Sequence, residues 1–290
     1  MRKMSLNGYR RPNMSTIDKY AVFGSPIKHS KSPRIHGLFA EQTQQNLSYS
    51  AELVPAEDFK QQLDDFFKQG GKGINCTVPL KELAWEYADN LTERATLAKA
   101  VNTLILQKDG SLLGDNTDGI GLVTDIMLNH HISLRNKKVL ILGAGGASRG
   151  IILPILDEQV ESITIANRTV SKAQTLATEF KHKGDIAVST YEALAGQHFD
   201  LIINATSASL SNELPPLAAN LLMKQGYCYD LAYANEPTAF VRWGQQQQAV
   251  KSLDGLGMLV EQAAEAFYLW RGVRPDTAAV IKVLEDERKL

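Results

Sequence analysis

Short apolar runs rich in β-branched residues alternate along the chain with longer stretches whose apolar residues recur at helical spacing. Residues 20–24 read as a strand ending in a glycine turn, and a helix is predicted to start near Pro33. Residues 46–53 alternate like a strand, 55–69 are amphipathic with a Gly70-Gly71 stop, and 73–77 form another strand candidate. Residues 100–106 and 112–114 flank a Lys108-Asp109-Gly110 turn and predict a hairpin. After Asp118 the rhythm restarts. A helix is predicted over 119–129, and strands over 138–142, 162–166, 200–204 and 226–230 are separated by helical stretches. The short glutamine tract at 245–248 reads as a solvated helix end. Repeated βα units imply a largely parallel sheet with helices on its faces. The helical stretch 258–270, with Gly272 as its stop, falls outside the second unit's rhythm and is expected to pack back on the first. The resulting division is a leader over 1–18, a unit built from 19–117 and 255–290, and a unit over 118–254.

The length of 290 residues agrees with two domains. With 22% charged and 44% hydrophobic residues the chain is compositionally ordinary, which excludes disordered, fibrous and coiled-coil classes. Basic residues number 31 against 32 acidic ones, and no long basic run occurs, so nothing points to nucleic acid. A small anionic ligand needs only two or three placed groups and stays open. Two cysteines cannot build a disulfide framework or a four-ligand zinc site, and the adjacent His130 and His131 share neither a helix face nor a strand face, so no metal is expected. No apolar run reaches membrane-spanning length. The first 14 residues are basic with no apolar segment behind them, which reads as a disordered extension, with Met14 as an alternative start, and not as a secretory signal. A cytoplasmic, reduced protein is expected.

The strongest chemical signal is GAGGASRG at 143–150, between an apolar strand and an apolar helix start. Glycines there let backbone approach a pyrophosphate, while the helix N-terminus offers unpaired N–H groups. The pattern departs from the strict dinucleotide fingerprint, and packing of helix on strand is the plainer alternative. The following strand ends in Asn167-Arg168-Thr169, 24 positions after Gly143, with no acid for a ribose 2′-hydroxyl. Arg168 and Lys172 supply positive charge for a 2′-phosphate, so NADP is expected over NAD. In GSPIKHSKSP at 24–33, Ser30 and Ser32 could hold a carboxylate or hydroxyl, while Ser32 before Pro33 equally suits a helix N-cap. In NCTVPLK at 75–81, Pro79 is read as opening a helix with Lys81 in its first turn. A cation is disfavoured at the positive end of the helix dipole there, a nearby aspartate would offset this, and Asp118 is the candidate. Such a pair could exchange a proton with a substrate oxygen. Spacing alone leaves both residues open as a surface lysine and a loop aspartate.

Taken together, these motifs resemble those of the shikimate dehydrogenases, NADP-dependent enzymes of aromatic amino-acid biosynthesis. The resemblance runs from about Tyr20 to the C-terminus and adds AVNT at 100–103, DNTDG at 115–119, NATS at 204–207 and DGLGMLVEQA at 254–263 to the segments above. It implies an α/β fold of two domains: a substrate domain completed by the C-terminal helix, and a Rossmann-like NADP-binding domain. It implies reversible NADPH-dependent reduction of 3-dehydroshikimate to shikimate. Lys81 would be the catalytic proton donor and acceptor, with Asp118 as its partner. Ser30 and Ser32 would hold the substrate carboxylate, and Thr77, Asn102, Asp118, Tyr233 and Gln262 its remaining surroundings. Gly143, Ala144, Gly145, Gly146 and Ala147 would cradle the pyrophosphate, and Asn167, Arg168, Thr169 and Lys172 the 2′-phosphate. Leu231, Gly255 and Met258 would line the nicotinamide side, and Glu93 would be a cofactor contact. The resemblance implies no metal, no nucleic-acid partner and no membrane, in a monomer or homodimer.

Three features depart from the family pattern. Lys172 stands where arginine is common, the segment after NATS lacks a glycine, and the basic leader has no counterpart. The rivals are a quinate/shikimate dehydrogenase using NAD, and a non-catalytic NADP-binding sensor on the same fold.

Overall fold

The computed structural model describes residues 17–289, which form two six-stranded sheets with helices packed on them. The first sheet is built from β1 (Asp18–Gly24), α1 (Ser32–Thr43), β2 (Leu47–Leu53), α2 (Phe59–Lys68), β3 (Gly71–Cys76), α3 (Lys81–Tyr87), β4 (Asn90–Leu91), α4 (Glu93–Ala98), β5 (Thr103–Leu106) and β6 (Leu112–Asp115). Its order is β2-β1-β3-β5-β6-β4. β1 is parallel to both of its neighbours, and β5 runs antiparallel to β3 and β6. The β5–β6 hairpin turns where the sequence predicts: Gly110 takes φ +89°, and Asp109 Oδ1 accepts the Ser111 N–H at 3.0 Å. Ala21, Phe23, Leu63, Ile74, Leu80 and Leu104 form the core beneath this sheet.

The chain continues through α5 (Asp118–Thr124), a π-helical turn (Asp125–Asn129), β7 (Lys138–Leu142), α6 (Gly146–Asp157), β8 (Ser162–Ala166), α7 (Val170–Phe180), β9 (Ile186–Ser189), β10 (Phe199–Asn204), β11 (Leu222–Asp230), α8 (Ala239–Gln246) and β12 (Lys251–Leu253). These strands are all parallel, in the order β12-β11-β10-β7-β8-β9. Val139, Leu140, Ile141 and Leu142 of β7 are buried on both faces, as a central parallel strand requires. Strand order reverses between β7 and β10, and the crevice beyond their carboxyl ends is where open α/β sheets bind ligands.

Two last helices, α9 (Leu256–Arg271) and α10 (Thr277–Glu287), return to the first sheet. Val260, Ala264 and Phe267 of α9 pack with Ile35 and Phe39 of α1, joined by Val280 and Leu284 of α10. Trp270 Nε1 donates to Leu104 O at 3.1 Å. α9 also crosses α5, where a side chain on Gly121 would overlap Gln262 and one on Gly257 would overlap the Asp125 carboxylate.

Several boundaries differ from the sequence reading. Asp18, placed in the leader, opens β1 and pairs with Arg271; residues 1–16 of that leader and Met14 lie outside the described residues. The helix predicted over 119–129 finishes as a π turn. The strand predicted from 226 begins at Leu222, and α10 follows the Gly272 stop, so the helix over 258–270 is not the last. Lys31, not Ser32, is the N-cap of α1; the Ser32 amide instead donates to Ser30 Oγ at 3.3 Å, leaving the Ser32 side chain to the cleft. Pro79 sits in a turn closed by Leu80 N–H to Thr77 O at 2.8 Å, and the helix starts at Lys81.

Candidate active site

The loop from β3 is pinned at Thr77, whose N–H donates to Phe23 O at 2.9 Å, and it delivers Lys81 to the first turn of α3. Asp118 begins α5, where an acid suits the helix dipole. Lys81 Nζ donates to Asp118 Oδ2 at 2.6 Å. The carboxylate removes the dipole penalty on the lysine, and both side chains remain partly open to the cleft, 29% and 15% exposed.

Asn102 orders this centre. Its Nδ2 donates to Asp118 Oδ1 at 2.8 Å and Thr117 Oγ1 at 3.0 Å, while its Oδ1 accepts the Thr117 N–H at 2.9 Å. Gln262 Oε1 lies 3.4 Å from Asn102 Nδ2, so α9 meets the same cluster. Behind Asn102, the Asn75 amide donates to Asn102 O and Thr103 Oγ1, both at 3.0 Å, and Asn75 Oδ1 accepts the Tyr49 hydroxyl at 2.7 Å. The loop before Asp118 is fixed by Arg94, which grips Asp115 through Nε at 2.7 Å and a second guanidinium nitrogen at 2.6 Å. That bidentate pair is a positional anchor away from the cleft.

A cleft of about 340 Å³ opens above the pair. Ser30, Ser32, Thr77, Asn102, Tyr233 and Gln262 line it with Lys81 and Asp118, and so do Leu231, Gly255 and Met258. Burial raises the Tyr233 hydroxyl pKa, keeping it a neutral donor. Lys28, His29 and Asn75 also line the cleft; the sequence reading gave none of them a role. Thr117, Asn75 and Tyr49 were missed because their roles depend on partners 15 to 27 positions away in the chain, which no local motif signals.

The glycine loop suits a dinucleotide. Gly143 takes φ +105° with Ala205 O close beside it, a backbone that favours glycine. At Gly145 and Gly146 an added Cβ would meet nothing within 4 Å, so the loop presents bare backbone to open space. Gly145 caps α6 without a side-chain bond, leaving the amides of the first turn to a ligand, and Ala147 is exposed beside them. Ala144 is half-buried against the sheet core. Past β8, Asn167 Nδ2 donates to Thr169 O at 2.8 Å and shapes the turn that carries the exposed Arg168 and Lys172. No carboxylate occupies the β8 end, so this chain's residues fit the extra phosphate of NADP.

Glu93 lies on α4. It is exposed at the start of α4 and paired with Lys183, whose ammonium holds its carboxyl below the usual range, and it does not line the cleft. After β10, Asn204 Oδ1 accepts the Thr206 hydroxyl at 2.7 Å, and the segment lacking the family glycine closes through Asn212 at φ 55°. Among the described residues no group of three His, Cys, Asp or Glu could hold a metal ion, and no helix is long and apolar enough to cross a membrane.

Comparison with known proteins identifies the family. Residues 22–104 match the family model described as shikimate dehydrogenase substrate binding domain, 125–212 the model for shikimate / quinate 5-dehydrogenase, and 255–285 the model for the shikimate 5'-dehydrogenase C-terminal domain. The shikimate dehydrogenase (NADP(+)) of Methylococcus capsulatus is 60% identical over 95% of this chain and 99% of its own. A crystal structure of an Ael1 enzyme from Pseudomonas putida superposes with TM-score 0.88 at 50% identity, covering 92% of this chain and 98% of that one. The shikimate 5-dehydrogenase of Thermus thermophilus, solved in complex with NADP(H) and shikimate, superposes with TM-score 0.82 at 32% identity over 94% of this chain and all of its own. In sequence and fold alike, this chain belongs to the shikimate dehydrogenase family.

Proposed function

We propose that this chain interconverts shikimate and 3-dehydroshikimate with NADP(H). The observation that carries the reading is the Lys81–Asp118 pair, 2.6 Å apart, open to a cleft that also holds Ser30, Ser32, Thr77, Asn102 and Gln262. The substrate carboxylate sits on the Ser30 and Ser32 hydroxyls, where the N-terminus of α1 adds favourable potential. Thr77, Asn102, Tyr233 and Gln262 orient the ring hydroxyls. Bound NADPH supplies the hydride. Lys81, as the ammonium, gives a proton to the carbonyl oxygen as charge develops there, and in the oxidation direction the neutral amine takes it back. Asp118 orients Lys81 and balances its charge in the ammonium form.

The same reading assigns the glycine loop, Gly143 to Ala147, to the pyrophosphate, and Asn167, Arg168, Thr169 and Lys172 to the 2′-phosphate. Leu231, Gly255 and Met258 form the nicotinamide wall. The unit of 19–117 with 255–290 holds substrate and 118–254 holds the nucleotide, a division supported by the two separate sheets and by the packing of α9 on α1. The same reading takes the protein as a monomer or a homodimer. The two free, buried cysteines, Cys76 and Cys228, suit the reducing cytoplasm.

A quinate activity is the second reading, because the family model over residues 125–212 is described for both acids. The asparagine at the β8 end weighs against NAD, and the intact proton-transfer pair weighs against a sensor. The test is NADPH consumption with 3-dehydroshikimate, with the product identified by mass and chromatography. Stoichiometric shikimate supports the reading; a folded protein that binds NADPH yet leaves 3-dehydroshikimate unchanged refutes it.

A further inference from the structure

The junction between the two sheets holds a buried polar cluster that the reaction does not use. Asp125, in the π turn after α5, is 1% exposed, and its Oδ2 accepts the Tyr229 hydroxyl at 2.7 Å. Its Oδ1 accepts the Asn129 amide at 2.9 Å, and the same amide reaches Glu261 Oε1 of α9 at 2.8 Å. His130 Nε2 stands 3.5 Å from Asp125 Oδ2. Burying a carboxylate and a phenol costs several kcal/mol of solvation unless hydrogen bonds offset it. A phenylalanine at 229 and an apolar residue at 125 would fill the same space more cheaply, so these polar groups call for a reason beyond packing.

The reason lies in the third bond of the set. Tyr229 is fully buried, and its oxygen accepts the backbone N–H of Met258 at 3.3 Å. That amide belongs to the first turn of α9, whose N-cap Gly255 offers no side chain. The first amides of a helix have no partner within it. Tyr229 therefore caps α9 from across the junction, with Asp125 fixing the direction of its hydroxyl. The capped turn carries Gly255, Met258 and Leu259 into the cleft, and Gln262 follows one turn later. Asp125 itself stands seven residues after Asp118 on one continuous helical segment, so the reacting carboxylate and the anchor of α9 move together.

We infer that Asp125 and Tyr229 are a positioning pair that holds the first turn of α9, and with it Met258 and Gln262, in register with the Lys81–Asp118 centre. This rests on the reading of the cleft as a hydride-transfer site. Displacing reacting groups by a fraction of an ångström costs rate more than affinity.

The experiment compares the wild type with Tyr229→Phe, which removes both bonds and keeps the ring. Turnover of shikimate with NADP+ is read as kcat and KM, together with the isotope effect from shikimate deuterated at the carbinol carbon. The expected result is a kcat about tenfold lower, a shikimate KM within about threefold, and a larger isotope effect as hydride transfer becomes slower than release. A variant that melts lower but keeps wild-type kcat per folded molecule and the wild-type isotope effect overturns the inference and leaves a packing role. Should Tyr229→Phe fail to fold, Asp125→Asn keeps an oxygen for the hydroxyl, and the same readings apply to it with a smaller loss. Absence of shikimate turnover in the wild type would refute the functional reading itself, and the inference with it.

Discussion

Replacing Lys81 by alanine removes the ammonium 2.6 Å from Asp118 and should separate chemistry from binding. General acid–base catalysis by a positioned side chain contributes about 10²–10⁴ in rate, which is about 3–5 kcal/mol of barrier. Stability should change little. The pair is partly solvated, and Asp118 keeps the Asn102 amide at 2.8 Å, so about 1–2 kcal/mol is the expected cost. Lys81→Arg is the informative companion. A guanidinium can keep the ion pair but does not release its proton, so charge is retained while proton transfer is lost. Steady-state oxidation of shikimate, followed by the absorbance of reduced nicotinamide, should show kcat down at least a hundredfold in both variants and shikimate KM within about threefold in Lys81→Ala. If Lys81→Ala retained kcat within about threefold while KM rose steeply, Lys81 would serve in binding alone and the proposed chemistry would be refuted.

The cofactor assignment predicts that Arg168→Ala raises the KM for NADP+ by about 10–100-fold, the loss of one charge-assisted contact, and leaves the KM for NAD+ unchanged. Equal effects on both cofactors would place Arg168 away from the 2′-phosphate. His36, stacked on Tyr49 with ring centroids 4.1 Å apart, has neither ring nitrogen hydrogen-bonded among the described residues. Burial pushes its pKa down to about 3. The folded state holds it neutral, whereas the unfolded chain protonates it below pH 6.5, so stability falls as pH drops from about 6.5 towards 3. By pH 5 the loss is about 2 kcal/mol, seen in urea melts as a pH dependence that His36→Leu reduces by that amount. An identical pH dependence in that variant would refute the assignment.

Much of the architecture is legible from residues buried on both faces. β1, β7, β8 and β10 announce themselves as apolar runs because their central residues are buried on both faces. The edge and connecting pieces do not. β9 and β12 are short and half exposed, β4 has two residues, and α10 buries only Val280 and Leu284. Nor does local sequence reveal that Ser32 surrenders the N-cap to Lys31, since that depends on the Ser32 side chain facing the cleft. Within the site, Lys81, Asp118 and the glycine loop sit in contiguous motifs and could be read directly. Thr117, Asn75, Tyr49 and Tyr229 act through partners 15 to 104 positions away, set by strand register and by the crossing of α9 over α5.

The most direct test of the whole account is a four-way comparison of kcat/KM for purified protein with shikimate or quinate, each paired with NADP+ or NAD+. Shikimate with NADP+ is predicted to exceed every other combination by at least about a hundredfold, as expected if the proposed 2′-phosphate contacts of Arg168 and Lys172 and hydroxyl contacts of Thr77, Asn102 and Gln262 all count in the transition state. Comparable turnover with NAD+ or with quinate would contradict the assigned specificity, and no turnover in any pairing would contradict the activity itself.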